Sequence, residues 1–391
     1  MNRQAKPRIL MITETLFPEN TGGVPRTASF LADELGRSGC EVVVITRTLK
    51  PAAPDFAAVS REHVTVVEYR NDSPFWFVRT AAMVERAIER FPELLGRFDM
   101  IYAHFPYSVR AIRRRFPEAV FVLNIHSPLL EEGVANRGIR VAPVLLPLQY
   151  YYELAAVRAC AHIVVYSEYL RDLLGRKYGK LAGDKITIHH NGIVVVHPAP
   201  DELERVRDSY GLRDRRVFVC SRRHVRRTGV LELVEALVGG PPSDARFVFT
   251  GSGYLFETLK KKARGRPDIL FTGRLEDREV HALYEIAEAS IVPTRDLECF
   301  GLSTVESLFH GTPVVVSDRG ANPEVVAKLG GGIVVPFGVE PFKRALRELL
   351  EGSLTFPPID EARLAEFTFE TQASEVMGLI EPALREAGRG S

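Results

Sequence analysis

The chain has 391 residues, 46% hydrophobic and 26% charged, with a formal net charge of +1. That is more chain than one ordinary core takes up, and it implies two domains, or at most three, of globular rather than disordered character. Near-neutrality argues against a general nucleic-acid binder, which needs an excess of Lys and Arg, although basic runs stand at Arg113-Arg114-Arg115 and Arg222-Arg223. The four cysteines, Cys40, Cys160, Cys220 and Cys299, form no Cys-x-x-Cys pair. A reduced, cytoplasmic protein using its thiols as small hydrophobes is therefore expected. Basic residues precede Ile9-Leu10-Met11-Ile12, but that run is short and ends in Thr13-Glu14; a first strand is expected there, not a signal peptide. The apolar stretch from Val141 to Leu148 is broken by Pro143 and Pro147 and falls short of the ~20 residues that cross a bilayer.

Along the chain, short Val- and Ile-rich runs alternate with helix-length segments, the pattern of parallel sheets with crossover helices. Strands are expected at 8–13, 42–46, 64–68, 100–104, 120–125, 163–167 and 186–189, then at 217–221, 247–250, 269–272, 290–293, 314–317 and 333–335. The series restarts near residue 210, just after Val195-Val196-His197-Pro198-Ala199-Pro200, a Pro-bearing extended stretch suited to an interdomain hinge. Domains are accordingly expected at 1–200 and 201–366, with a helical tail at 367–391. Both halves read as doubly wound α/β sheets, which bind ligands at the carboxyl ends of their strands. After the first strand comes Thr21-Gly22-Gly23-Val24-Pro25 and a helix with Val24, Ala28, Leu31 and Leu35 on one face. The glycine pair either lets backbone approach a phosphate or sugar, or simply makes a tight turn.

The most informative stretch runs from Pro293 to Asp318. Gly301 and Ser303 suit a helix start, Val305, Leu308 and Phe309 give an apolar stripe, Gly311 suits the C-terminal cap, and Pro313 cannot extend the helix. Glu298 precedes this helix and Glu306 lies about one turn inside it. A helix N-terminus after a glycine is an anion site, because its first N–H groups and the positive dipole end point at the ligand. Without further context, Glu298 reads equally as a solvated loop acid and Glu306 as the polar face of an ordinary helix.

With the flanking Pro293-Thr294 and Gly311-Thr312-Pro313-Val314-Val315-Val316-Ser317, the two glutamates resemble the paired-glutamate motif of retaining glycosyltransferases with the GT-B fold, the family of glycogen synthases, sucrose-phosphate synthases and bacterial mannosyltransferases. The resemblance implies two Rossmann-like domains facing a central cleft, the first for the acceptor and the second for the nucleotide sugar, with the tail crossing back to the first. It implies that Glu298 faces the donor sugar, that Glu306 takes the ribose hydroxyls, and that N–H groups at the Phe300-Gly301-Leu302 turn hold the diphosphate. Gly22 and Gly23 resemble the family's glycine-rich loop, although Pro25-Arg26 stands where an acid often follows. His126, in Asn124-Ile125-His126-Ser127-Pro128, matches a histidine near the reacting carbon. His104 lacks such a match and is expected at the surface beside Pro106.

The phosphate loop departs from the family pattern. Arg223 stands at the usual Arg, whereas Thr228 occupies the usual Lys before Gly229, so Arg227 or, less well placed, Arg226 is expected to supply the second cation that steadies the leaving nucleotide. Gly251-Ser252-Gly253-Tyr254 resembles the glycine-rich turn near the donor, and Arg274 and Leu275 the segment that meets the base through backbone, which leaves uridine, guanosine and adenosine open. His189-His190-Asn191-Gly192 resembles a turn before the hinge and reads as structural. No Asp-x-Asp pair and no His, Cys and acid cluster has metal-ligand spacing, so no metal and no cofactor is expected beyond a UDP- or GDP-sugar co-substrate. The resemblance implies a sugar, glycolipid or small-molecule acceptor. Arg110, Arg113, Arg114 and Arg115 with Phe75-Trp76-Phe77 offer either a face for an anionic membrane or an ordinary solvated helix over a small aromatic cluster. Two other readings stay open: a nonenzymatic nucleotide-sugar binder, motivated by Thr228, and another GT-B enzyme such as an epimerase or phosphorylase.

Overall fold

A computed structural model of the chain describes residues 6–73, 76–137 and 145–386; Phe75 and residues 141–144 of the apolar stretch lie outside them. Two compact units emerge. The first takes residues 6–130, 145–192 and 367–386, and the second is built mainly from 193–366.

The first unit carries strands β1 (Arg8–Ile12), β2 (Glu41–Thr48), β3 (Phe56–Ser60), β4 (Val64–Arg70), β5 (Met100–Ala103), β6 (Val120–Asn124), β7 (His162–Val165) and β8 (Ile186–Ile188). They form one sheet in the order β3-β4-β2-β1-β5-β6-β7-β8. The second unit carries β9 (Val217–Ser221), β10 (Arg246–Thr250), β11 (Ile269–Gly273), β12 (Ala289–Val292), β13 (Val314–Ser317) and β14 (Gly332–Val335), ordered β11-β10-β9-β12-β13-β14. Every pairing is parallel except β3 with β4.

All thirteen expected strands form, with ends shifted by a few residues at most. They were legible because a strand covered on both faces needs a near-continuous apolar run. In β9 the alternation sends Phe218 and Cys220 into one core cluster and Val217 and Val219 into the other. The antiparallel β3 was not expected. It is a partly exposed edge, Phe56-Ala57-Ala58-Val59-Ser60, whose weakly apolar sequence carries no burial signal.

Each sheet reverses its strand order once, between β1 and β5 and between β9 and β12, and loops after such neighbouring strands diverge to leave a crevice. The tail belongs to the first unit. There the Phe369 ring lies 5.5 Å from Phe30 on the helix Gly23–Arg37. The Gly192 amide donates to Gln372 Oε1 at 3.0 Å, and a Cβ on Gly192 would sit 2.5 Å from the Phe369 ring. His190 donates its amide to Glu375 at 2.7 Å. The 189–192 turn is thus a structural joint. All four cysteines are buried free thiols. Among the described residues no helix is long and apolar enough to cross a membrane.

Candidate functional site

At the strand-order reversal of the second unit, Arg222 follows β9 and the loop carrying Glu298 follows β12. The Arg222 side chain is 8% exposed. It donates to Ser303 Oγ at 2.9 Å and Thr294 Oγ1 at 3.4 Å, and forms an ion pair with Glu298. The other carboxylate oxygen of Glu298 accepts from the Gly301 amide at 3.3 Å. Burial pushes the Glu298 carboxyl upward, but the charges of Arg222 and Arg227 and these hydrogen bonds outweigh it, so the group is held below the usual carboxylate range. The Glu298 carbonyl accepts from Ala321 at 2.7 Å. Backbone and side chain of Glu298 are therefore both clamped.

Gly301 adopts φ +92 and caps the helix Leu302–Phe309, and a Cβ there would lie 2.8 Å from Asn322 Oδ1. Glycine is needed for both reasons. It leaves the Leu302 and Ser303 amides at the same end of the helix as Glu298, while the Thr304 amide donates to the Gly301 carbonyl at 2.9 Å. Glu306 is half-buried one turn on, Leu302 is half-buried, and Phe300 is buried, so Phe300 contributes packing and backbone rather than an open ring.

The basic loop adds a residue that the sequence reading did not single out. Arg222 meets Glu298, while Arg223, expected to face the diphosphate, is exposed. Adjacent residues leaving a strand point to opposite sides, which is how Arg222 turns inward to Glu298 and Arg223 outward. Thr228 is buried, and its hydroxyl is shared between the carbonyls of Arg223 and Val225, each at 2.7 Å. It ties the loop together instead of presenting a cation. Arg227 donates to the Leu297 carbonyl at 3.0 Å, bracing a residue held at φ +39. Arg226 is exposed, and its amide donates to the Tyr254 hydroxyl at 2.9 Å. Beside this loop, Gly251 takes φ +123, and a Cβ on it would come within 2.1 Å of the Arg222 carbonyl. Arg274 is exposed and Leu275 packs partly buried against the core.

The first unit offers a different chemistry. Gly22 precedes the helix Gly23–Arg37 at φ −67, an ordinary value, and its amide donates to Asn20 Oδ1 at 3.0 Å. Neither Gly22 nor Gly23 is required by a left-handed conformation, and a Cβ on Gly22 would lie 3.3 Å from Asn20 Oδ1. His126 follows β6, and its Nε2 lies 2.9 Å from Nδ1 of His104, which follows β5. The expectation of a surface His104 is corrected: at 3% exposure it is buried, because β5 is flanked by β1 and β6 in mid-sheet. Burial pushes His126 down to about 3 and His104 well below the usual range, so the pair is neutral.

Within the basic and aromatic stretch, some side chains have partners inside the first unit. Arg113 lies 5.2 Å over Phe121 and donates to the Pro117 carbonyl, while Arg110 donates to the Tyr151 hydroxyl at 2.6 Å. Trp76 packs edge-on to Tyr107 at 5.6 Å under Arg47. Arg114 and Arg115 remain exposed.

Two family models match the chain: Glycosyltransferase Family 4 over residues 21–197 and Glycosyl transferases group 1 over residues 202–367. The chain is 22% identical over 353 residues to the O-antigen chain mannosyltransferase C of Escherichia coli, covering 88% of each. It is 33% identical over 149 residues, 35% of this chain and 39% of the relative, to a GDP-mannose-dependent alpha-(1-6)-phosphatidylinositol monomannoside mannosyltransferase of Mycolicibacterium smegmatis. Sucrose-phosphate synthase from Thermosynechococcus elongatus superposes with a TM-score of 0.76 at 20% identity over 98% of this chain and 100% of that one. With two parallel-sheet units and both family models spanning nearly all of it, the chain belongs to the glycosyltransferases of GT-B fold.

Proposed function

We propose that the protein is a retaining, metal-independent glycosyltransferase that moves a hexosyl group from a nucleoside-diphosphate sugar to a hydroxyl of a glycan, lipid-linked or small-molecule acceptor. The observation that carries this reading is the buried Arg222–Glu298 pair beside the Gly301 amide, at the N-terminus of the helix that bears Glu306. The first-turn amides suit a diphosphate, Glu306 the ribose hydroxyls, and Glu298 the donor sugar. Arg222 acts as a positioning residue through Glu298. Arg223 and Arg227 supply the positive charge that steadies the departing diphosphate. The bond from the anomeric carbon to the β-phosphate oxygen breaks, the acceptor oxygen bonds to that carbon from the same face, and the departing phosphate takes the acceptor proton. GDP-mannose is the first donor to test, because the 33%-identical relative is GDP-mannose-dependent.

The test is nucleotide release from GDP-mannose, UDP-glucose and ADP-glucose with added mannosides, in the presence of EDTA, followed by NMR of the product's anomeric configuration. An α-linked product from an α-linked donor supports retention; inversion refutes it, and activity only with added metal refutes metal independence. Arg223→Ala and Arg227→Ala should each slow turnover, and unchanged rates for both would remove them from the leaving-group role. A second reading, binding without transfer, is favoured by the inward-tied Thr228. It predicts thermal stabilisation by a nucleotide with no release under any pairing.

A further inference from the structure

We propose that His197, Glu285 and His310 form a zinc site in the second unit that fastens the chain entering that unit. The three come from separate segments: His197 from the extended stretch before the helix Pro200–Ser209, Glu285 from the helix Asp277–Ile286, and His310 from the C-terminal cap of Leu302–Phe309. One ligand atom from each lies within 4.8 Å of the others.

The contacts within this trio are longer than a charge-assisted hydrogen bond, although His310 Nδ1 and Glu285 Oε1 still lie within hydrogen-bond reach. Glu285 Oε1 is 3.3 Å from His310 Nδ1 and 3.5 Å from His197 Nδ1. Another His–carboxylate pair in the same chain, His190 with Glu375, closes to 2.7 Å, the range of a charge-assisted hydrogen bond. Ligands bound tetrahedrally to zinc at about 2.0–2.1 Å sit roughly 3.3–3.4 Å from one another. Glu285 is thus placed like a shared corner of that tetrahedron. The other ring nitrogen of His310 lies 2.7 Å from His281 Nδ1, the outer partner that fixes a metal-binding imidazole. The His310 side chain is fully buried and His197 is 73% exposed, which leaves an entry path and a fourth position for water.

The site lies at the opposite end of the Leu302–Phe309 helix from Gly301, about 12 Å away along the axis. Zinc there touches no reacting atom in the transfer reaction proposed above. It would brace the helix that carries Glu306 and hold the incoming stretch against the helix Asp277–Ile286.

The experiment uses the full chain, stripped with EDTA, desalted and titrated with Zn2+. Expected are one zinc per chain, a rise in Tm, and, with Co2+ in its place, the visible absorption of a tetrahedral complex. His197→Ala, exposed and safe for folding, should weaken zinc binding about 10-fold or more and abolish the Tm rise while leaving the metal-free Tm unchanged. Glu285→Gln should behave alike. No stoichiometric zinc, or equal binding and equal Tm rise in wild type and His197→Ala, would overturn the site.

Discussion

The loops at the second unit's strand-order reversal and those beside the first unit's reversal differ in chemistry. The second unit places a buried charge pair, Arg222 and Glu298, on loops after β9 and β12, whereas the first places a neutral pair, His104 and His126, after β5 and β6. Their backbones differ as well. Among the described residues two glycines of positive φ lie in the first unit and thirteen in the second, including Gly229, Gly251 and Gly301 of the candidate site. A phosphate-binding half needs close backbone approach and fixed charge, and left-handed glycines with buried cations supply both. A half that meets sugar hydroxyls can rely on neutral hydrogen bonding. One topology thus carries two different chemistries in the residues that follow its strands.

The largest test of this contrast is Arg222→Ala. It strands the Glu298 carboxylate in a buried site and should cost about 3–5 kcal/mol in urea unfolding. Pairing Arg222→Met with Glu298→Gln should recover most of that stability while transfer stays off. A neutral Arg222→Ala would mean that charge does not organise the second unit's site.

Next in size is a pair of glycine substitutions. At Gly229, with φ +70, a Cβ would fall 1.7 Å from the Pro293 carbonyl, and Gly229→Ala should cost about 3 kcal/mol or more. At Gly22 the nearest atom is 3.3 Å away and φ is ordinary, so Gly22→Ala should change stability by less than about 1 kcal/mol. If it also reduces turnover, the backbone at Gly22 approaches a ligand. Equal destabilisation at the two positions would erase the backbone contrast.

A nucleotide at 100 times its Kd should stabilise the protein by about 2.7 kcal/mol, a shift of a few degrees in Tm. Glu306→Ala should remove that shift with the unliganded Tm little changed, and a variant that keeps it would place the ribose elsewhere.

The smallest effect is pH dependence from the first unit. His126 has a folded value of about 3, below the ordinary value near 6.5, so between those pH values the unfolded chain binds more protons. Its stabilising contribution is complete above pH 6.5 and is lost as pH falls, by up to about 1.4 kcal/mol per unit. His126→Gln should flatten the stability profile between pH 6.5 and 5, and an unchanged slope would show that the pair is not held neutral.

Much of the fold was legible from residues alone, because a strand buried on both faces must be apolar throughout and a helix must be capped. Thirteen strands could be placed that way, and β3 could not, since its short run Phe56-Ala57-Ala58-Val59 is mostly small, lies on a partly exposed edge and shows no alternation with polar residues. Glu298, Gly301 and Glu306 could be singled out through the family resemblance, because nine residues of loop and helix carry all three. What local pattern cannot carry is which side chains meet across the fold. Arg222 and Glu298 stand far apart in the chain, as do His104 and His126, and the trio of His197, Glu285 and His310 spans three segments. The sequence by itself determined thirteen of the fourteen strands and the helix ends at Gly301 and Gly311, because these depend on neighbours within a few residues. Only the tertiary structure decided that Arg222 rather than Arg223 turns inward, that His104 is buried and that three distant ligands converge, because charge pairing, desolvation and coordination act through space.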